Sequence, residues 1–183
     1  MIEDACDKCY ECKVASKEKR YEPIKPTHIP KKAWDHVAAD FSGPYPDGHY
    51  NLVIIDRRTR YPVVEPIPST NFKVTKHRFK NIFATYGIPN EILTDNGPPF
   101  NSREFKQFAD EEGFIHHCIT PLHPRANGEA EAFMRLVNKT EQISVLQGLD
   151  TAEREMAMQE MLVAYRSTPH QATGVTPYKA MQY

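Results

Sequence analysis

Three carboxylates in this chain occupy positions from which oxygen ligands could hold divalent metal ions. Asp40 follows a short apolar run, Asp95 follows another just before an Asn-Gly turn, and Glu131 lies early in a segment of helical periodicity. Carboxylate oxygens around an open position suit Mg²⁺, which keeps waters and accepts phosphate as a ligand. Two such ions about 3.5–4 Å apart can activate an attacking oxygen and stabilise a leaving one. The chain has 24 acidic residues, and most Asp and Glu side chains are exposed, so composition alone does not single out these three.

The elements that must position the three acids can be predicted from periodicity. Alternating or continuous apolar runs bounded by Gly, Pro and Asn predict five strands. A short turn between the second and third strands predicts a hairpin. The predicted strands are His36–Phe41, Asn51–Asp56, Tyr61–Ile67, Glu91–Thr94 and Phe114–Ile119. Cys118 falls in the last of these strands and is expected to be a buried thiol.

Apolar residues at helical spacing, together with capping and stop residues, predict the helices. In the fourth helix we expect Met156, Met161, Leu162 and Tyr165 to face inward. The order of strands and helices predicts an α/β layer fold with a mixed sheet. The predicted helices run from a cap within residues 69–71 to Tyr86, over Ser102–Glu112, Gly128–Leu146 and Thr151–Arg166, with a short last helix from Thr176.

The charge of the whole chain, formally −1 at pH 7, predicts no partner. Between Lys13 and Lys32, however, seven bases face two acids, and this segment could either contact phosphate or act as a solvated tether. The sequence shows no export signal and no apolar run of the roughly 20 residues that a bilayer requires. We therefore expect an intracellular protein, nuclear or cytoplasmic, with no membrane partner.

Cys6, Cys9 and Cys12 have a spacing typical of metal ligands. A closed zinc site needs four ligands, and no His or Cys follows Cys12 until His28. An iron–sulfur cluster would need a fourth Cys soon after Cys12. The incomplete ligand set argues against bound zinc.

The sequence around the three acids resembles the integrase catalytic core of LTR retrotransposons and retroviruses, most closely that of gypsy-type elements. Thirty-five residues lie between Asp95 and Glu131, the separation in the D,D(35)E signature of that family. The resemblance covers roughly residues 5–183. The motifs that carry it are Trp34–Pro44, Gly87-Ile88-Pro89, Asp95-Asn96-Gly97, Phe100, His123–Glu131 and Tyr165–His170.

The resemblance implies an RNase H-like fold, with a mixed five-stranded sheet flanked by helices. It implies that Asp40, Asp95 and Glu131 are the catalytic residues and bind two Mg²⁺ or Mn²⁺ ions, with Asp40 shared between them. The implied activity is that of a polynucleotidyl transferase and endonuclease, which processes DNA 3′ ends and transfers them to target DNA. The implied partners are element ends, target DNA and further copies of the chain, as a homodimer or a higher multimer.

The resemblance also divides the chain and suggests DNA contacts. Residues 1–33 correspond to a remnant of a zinc-binding module, in which Cys9 and Cys12 match the Cys half, followed by a basic linker that contains prolines. Residues 34–183 correspond to the catalytic core. Asn127, Arg135 and Lys139 could contact DNA, although exposed, solvated bases are an equally good interpretation of the last two.

The chain departs from the family pattern at several positions, none of which is one of the three acids. No His pair precedes Cys9, and Lys13, Leu122 and Arg125 stand where other residues are usual. A second hypothesis therefore stands beside the enzyme: an element-derived domain that binds nucleic acid or protein without joining strands.

We predict that the purified chain of residues 1–183 holds no stoichiometric zinc. Because Cys6, Cys9 and Cys12 lack a fourth nearby ligand, the site cannot close within one chain. Elemental analysis after gel filtration measures this directly. One tightly held zinc per chain would contradict the prediction, unless two chains share the ion.

Overall fold

The computed structural model describes residues 30–118 and 128–182, and for residues 128–131 it describes the backbone only. The five strands predicted from the sequence are confirmed within one or two residues at each end. They are β1 (His36–Ser42), β2 (Tyr50–Asp56), β3 (Pro62–Ile67), β4 (Glu91–Thr94) and β5 (Ile115–Cys118).

The strands form one mixed sheet in the order β3-β2-β1-β4-β5. β1 pairs antiparallel with β2 and parallel with β4, so it lies at the centre, where both kinds of pairing meet. β2 and β3 form the predicted antiparallel hairpin, and β5 lies parallel to β4. The fold class predicted from the sequence is therefore confirmed.

The described helices also match the prediction. Side chains of Asn71 and Ser102 cap the first two helices, while Gly87 and Gly113 follow their ends. Asp150 caps the fourth helix in a reciprocal pair with Glu153, which satisfies backbone donors that would otherwise be unpaired. The helices are α1 (Phe72–Tyr86), α2 (Arg103–Glu112), α3 (Gly128–Leu146), α4 (Thr151–Ser167) and α5 (Pro177–Ala180).

Hydrophobic clusters cover both faces of the sheet. Leu52 and Ile54 of β2 point into the cluster that contains Phe79 of α1. The alternate residues Val53 and Ile55 point into the cluster formed with α3 and α4. Because successive side chains of a strand point to opposite faces, a strand covered on both sides must be apolar throughout.

One predicted core residue of α4 is wrong. Met156 is 63% exposed, whereas Met158 and Leu162 are buried. Two residues on a helix are separated by about 200° of rotation, so Met156 and Met158 cannot share a face. Met161 and Tyr165 are half-buried against the second cluster, as expected.

The prediction of a buried Cys118 is also wrong, because the thiol is exposed. β5 is an edge strand of the described sheet, and Ile115, His117 and Cys118 are all exposed there. The sequence of this segment did not reveal that β5 lies at an edge of the sheet, where several of its side chains remain exposed.

The amino-terminal 29 residues lie outside the described part of the chain. The predicted remnant of a zinc-binding module and the basic linker therefore stay predictions, as does the domain boundary near residue 34. None of the helices in residues 30–118 and 128–182 is long and apolar enough to cross a membrane.

We predict that Phe79→Ala lowers the free energy of unfolding by about 3–5 kcal/mol, because it leaves a cavity in a packed aromatic cluster. Phe79 is 0% exposed, and its ring centroid lies 5.7 Å from that of Phe105. Urea titration measures the change. Met156→Ala is the control and should cost no more than about 0.5 kcal/mol. Equal losses in the two variants would contradict this assignment of the core.

Candidate active site

Asp40 and Asp95 are neighbours across two parallel strands. The register pairs Ala38 with Leu93 and Ala39 with Thr94, so the next residues along the two chains are Asp40 and Asp95. Adjacent strands lie about 4.8 Å apart, which brings the two backbones close together. The carboxyl ends of parallel strands are where α/β proteins commonly place their sites.

Both aspartates belong to the face of the sheet that α3 covers. Ala38 and Leu93 pack in the cluster shared with α3 and α4. Since side chains alternate along a strand, positions two residues further on return to the same face. Asp40 therefore lies on the α3 face, and Asp95 does too if the alternation continues one residue past the end of β4.

The environments of the two carboxylates differ. Asp40 is half-buried, and its Oδ1 accepts a hydrogen bond from the Phe41 backbone N–H at 2.7 Å. Asp95 is exposed, and its Oδ1 accepts the Gly97 backbone N–H at 3.2 Å. A Cβ atom built on Gly97 would lie 2.9 Å from Asp95 Oδ2, closer than such atoms approach. The carboxylate of Asp95 thus occupies space that a side chain at position 97 would need.

Glu131 is the fourth residue of α3, and its side chain lies outside the described part of the chain. The backbone nevertheless places it on the helix that packs over β1. Phe133 and Val137 fix that helix by burial in the second cluster. The structure therefore brings Asp40 and Asp95 together and gives the helix on which Glu131 lies.

A polar clamp of Ser42, Tyr45 and Asn138 attaches α3 to the end of β1. The Ser42 hydroxyl donates to Asn138 Oδ1 at 2.5 Å, and the Tyr45 hydroxyl donates to the same oxygen at 3.0 Å. Burial raises the pKa of Tyr45, so the phenol keeps its proton at neutral pH. Ser42 is two residues beyond Asp40, so the clamp acts close to the aspartate.

The sequence analysis did not identify this clamp. Asn138 is seven residues after Glu131, which is two helical turns, so the two residues share a face of α3. The sequence did contain a signal for Asn138, because it is a polar residue two turns from Glu131 on a helix that was expected to pack against the sheet. Its partners, Ser42 and Tyr45, flank a Gly-Pro turn and carry no comparable signal.

A hydrogen-bonded pair of Thr94 and His116 supports the backbone before Asp95. Thr94 Oγ1 donates to the Asp95 carbonyl oxygen at 2.7 Å and lies 2.9 Å from His116 Nε2. Because the hydroxyl has a single proton, Nε2–H of the imidazole must be the donor to Oγ1. Burial, with a smaller effect of His117, lowers the pKa of His116. The ring is therefore neutral at physiological pH.

Of the other predicted site residues, the structure describes two. Arg135 and Lys139 are exposed and lie one turn apart on α3. Asn127, Cys9 and Cys12 lie outside the described residues.

Asp56, which also ends an apolar strand, has a structural role. It is 0% exposed, and its Oδ2 accepts from the Thr59 backbone N–H at 3.1 Å and from the Thr59 hydroxyl. These bonds close the β2–β3 turn.

Among the described side chains, no group of three or more His, Cys, Asp or Glu residues could hold a metal ion. The side chain of Glu131 is not among them. Asp40 and Asp95 supply two adjacent oxygen donors, a set that suits Mg²⁺ rather than a soft metal.

The family model described as the integrase core domain matches residues 30–124, about half of the chain. An uncharacterised Caenorhabditis elegans protein, K02A2.6, is 32% identical over 177 residues, which are 96% of this chain and 14% of that protein. The transposon Tf2-3 polyprotein of Schizosaccharomyces pombe is 25% identical over 186 residues, which cover 98% of this chain and 14% of the polyprotein.

Two solved structures show the same fold at low sequence identity. One is a simian T-cell lymphotropic virus intasome in complex with PP2A regulatory subunit B56 gamma. It matches with a TM-score of 0.78 and 16% identity, over 96% of this chain and 63% of that one. The other is the trimeric form of the HTLV-2 integrase catalytic core domain in complex with magnesium. It matches with a TM-score of 0.65 and 18% identity, over 84% of this chain and 97% of that one.

The chain belongs to the integrase core domain family, and its fold is RNase H-like, as in retroviral integrase cores. The resemblance noted in the sequence is thereby confirmed. The chain spans only 14% of the length of the curated relatives it matches.

We predict that the protein loses stability as the pH falls through about 6.5, partly because of His116. Its pKa is lowered in the folded state, so the unfolded chain binds the proton first and acid favours unfolding. The loss begins near the ordinary value of 6.5 and levels off below the folded-state pKa.

Unfolding free energies from about pH 8 to about pH 5 test this effect. His116→Gln, which keeps an N–H donor for Thr94, should show a shallower loss than the unmodified chain. His77→Gln, at an exposed position on α1, should keep the original slope. An unchanged slope in His116→Gln would assign the acid sensitivity to other groups.

Proposed function

We propose that this chain is the catalytic core of an enzyme that inserts element DNA into target DNA. The observation that carries the proposal is the register of β1 and β4, in which Asp40 and Asp95 each follow one residue of the last pair, Ala39 and Thr94. Family membership supports the same conclusion. Glu131 is proposed as the third acid because it lies on α3 at the separation that the family signature requires.

We propose that Asp40, Asp95 and Glu131 hold two Mg²⁺ or Mn²⁺ ions, with Asp40 shared between them. When bound, such ions would activate the attacking oxygen and stabilise the leaving one during in-line displacement. The chain supplies fixed carboxylates. The backbone N–H of Phe41 orients Asp40, and that of Gly97 orients Asp95. Preorganised groups of this kind need no rearrangement during the reaction.

The same site would catalyse two reactions in turn. In the first, water attacks a phosphodiester near the DNA end and the bond to the departing nucleotides breaks, which leaves a free 3′-hydroxyl. In the second, that hydroxyl attacks a target phosphodiester, a new phosphodiester forms and the target strand is released with its own 3′-hydroxyl. The first step hydrolyses one phosphodiester bond to a 3′-hydroxyl and a 5′-phosphate, which is favourable in water. The second exchanges one phosphodiester bond for another, so neither step needs an outside energy source.

The DNA contacts are proposed for Arg135 and Lys139, together with Asn127. Both bases are exposed on α3, the helix of Glu131, where they could neutralise backbone phosphates. The HTLV-2 cores are described as dimeric and trimeric forms. We propose that this chain also acts as a dimer or a higher multimer.

The proposal predicts that Glu131→Gln abolishes Mg²⁺- or Mn²⁺-dependent cleavage of a labelled oligonucleotide duplex. Glutamine is nearly isosteric but is a poor magnesium ligand, so the rate should fall by about a thousandfold or more. DNA affinity and the thermal melt should stay unchanged. The control is Glu129→Gln, two residues away and on another side of the helix, which should cut normally.

Equal cleavage by the unmodified chain and by Glu131→Gln would mean that the assigned site is wrong. Binding of the duplex by the unmodified chain, without cleavage in either metal, would instead favour the alternative of a DNA-binding remnant. In both cases the affinity should weaken as salt rises, because phosphate contacts release counterions.

A further inference from the structure

A cavity of about 400 Å³ lies on the α3 face of the sheet, where β2 and β3 meet α3 and the start of α4. Asp40 and Asp95 do not line it. Its size falls within the range of small-ligand sites. One part of the lining is apolar and includes Val64, Pro66 and Met158, while another part, the polar wall, carries charged and amide groups.

The carboxylate of Glu141 is the distinctive group of the polar wall. The residue is 5% exposed. Its Oε1 accepts from Asn51 Nδ2 at 2.7 Å and lies 3.4 Å from His49 Nε2. Its Oε2 is buried and has no hydrogen-bond partner among the described residues. A buried carboxylate oxygen without a donor is costly, so a donor that comes from outside the chain would bind there with advantage.

The basic residues of the lining, Arg154 and His49, both contact Asp47. Arg154 donates to Asp47 Oδ2 at 3.0 Å and, through Nε, to the Leu149 carbonyl oxygen at 3.0 Å. His49 Nδ1 lies 2.5 Å from Asp47 Oδ1. With Glu155 also in the lining, carboxylates outnumber guanidinium groups. The field in the cavity therefore favours a positive ligand and disfavours an anion.

We propose that this cavity binds an organic cation, a primary ammonium or guanidinium group on a short alkyl chain. The charged head would pair with the Glu141 carboxylate, and the alkyl chain would lie against Val64, Pro66 and Met158. Amphipathic cations combine these two parts, since their methylene groups favour apolar surfaces and their heads require a polar partner. A free amine and a lysine or arginine side chain of another protein share this chemistry.

The test is calorimetric titration of the chain of residues 1–183 with butylammonium, agmatine and doubly capped lysine. Butanol, which has the same alkyl chain without the charge, is the matched ligand control. We expect the cations to bind and butanol to give no signal. Tighter binding of capped lysine than of butylammonium would assign the site to a protein side chain, and the reverse order would assign it to a free amine.

Glu141→Gln keeps an oxygen for Asn51 but replaces Oε2 with a donor, so affinity for the cations should fall by about tenfold or more. A second pair of variants covers the case in which this buried change unfolds the chain. Glu155→Lys reverses an exposed charge in the lining and should weaken binding. Glu160→Lys, exposed on the same helix but outside the lining, should not.

Four results would overturn the proposal. One is the absence of a binding heat with every cation. Another is equal binding of butanol and butylammonium, which would reduce the site to apolar contact. The third is unchanged affinity in a folded Glu141→Gln variant, and the fourth is an equal effect of Glu155→Lys and Glu160→Lys.

Discussion

The parallel pairing of β1 with β4 is the constraint on which the rest of the arrangement depends. These two strands are far apart in the sequence, and a hydrogen-bonded ladder fixes their relative position to one residue. A slip of a single residue would move every side chain of one strand to the opposite face. Asp40 would then point toward the aromatic cluster under α1, away from α3. Since both faces are filled with apolar side chains, the core selects the register that also aligns the aspartates.

The packing of α3 on the sheet also joins parts of the chain that are far apart in sequence. It involves both apolar contacts and hydrogen bonds. Phe133 and Val137 provide apolar burial, which is strong but gives little directional information. Asn138 adds hydrogen bonds to the hydroxyls of Ser42 and Tyr45, which tolerate little rotation of the helix. A single such bond contributes only about 1 kcal/mol of stability. Its main effect is geometric, because it limits the rotation of α3, the helix on which Glu131 lies.

The sequence was sufficient for the features that depend on local periodicity. Strand β2 is apolar on both faces, which predicted its burial. Asp40 and Asp95 each follow an apolar run, but Asp56 does too, and it was the resemblance of the flanking motifs to integrase cores that singled out the first two. The packing of one element against another was not predicted as well. The burial of Met158 rather than Met156 depends on the rotation of α4 against the sheet, and the exposure of Cys118 depends on β5 being an edge. Those facts come from tertiary neighbours, which periodicity along one segment does not encode.

Gly97 lies so close to the Asp95 carboxylate that a side chain at position 97 would displace it. Asp95 is the flexible partner in that contact, and the backbone at position 97 does not require positive φ. One extra methyl group there would turn the carboxylate aside while the sheet, the helices and both hydrophobic clusters persist. Under the proposed function, a copy of the domain with such a substitution could lose activity although its three acids and its fold are intact. Under the proposed function, a count of the three acids in related sequences would overestimate how many copies remain active, because it ignores the residue at position 97.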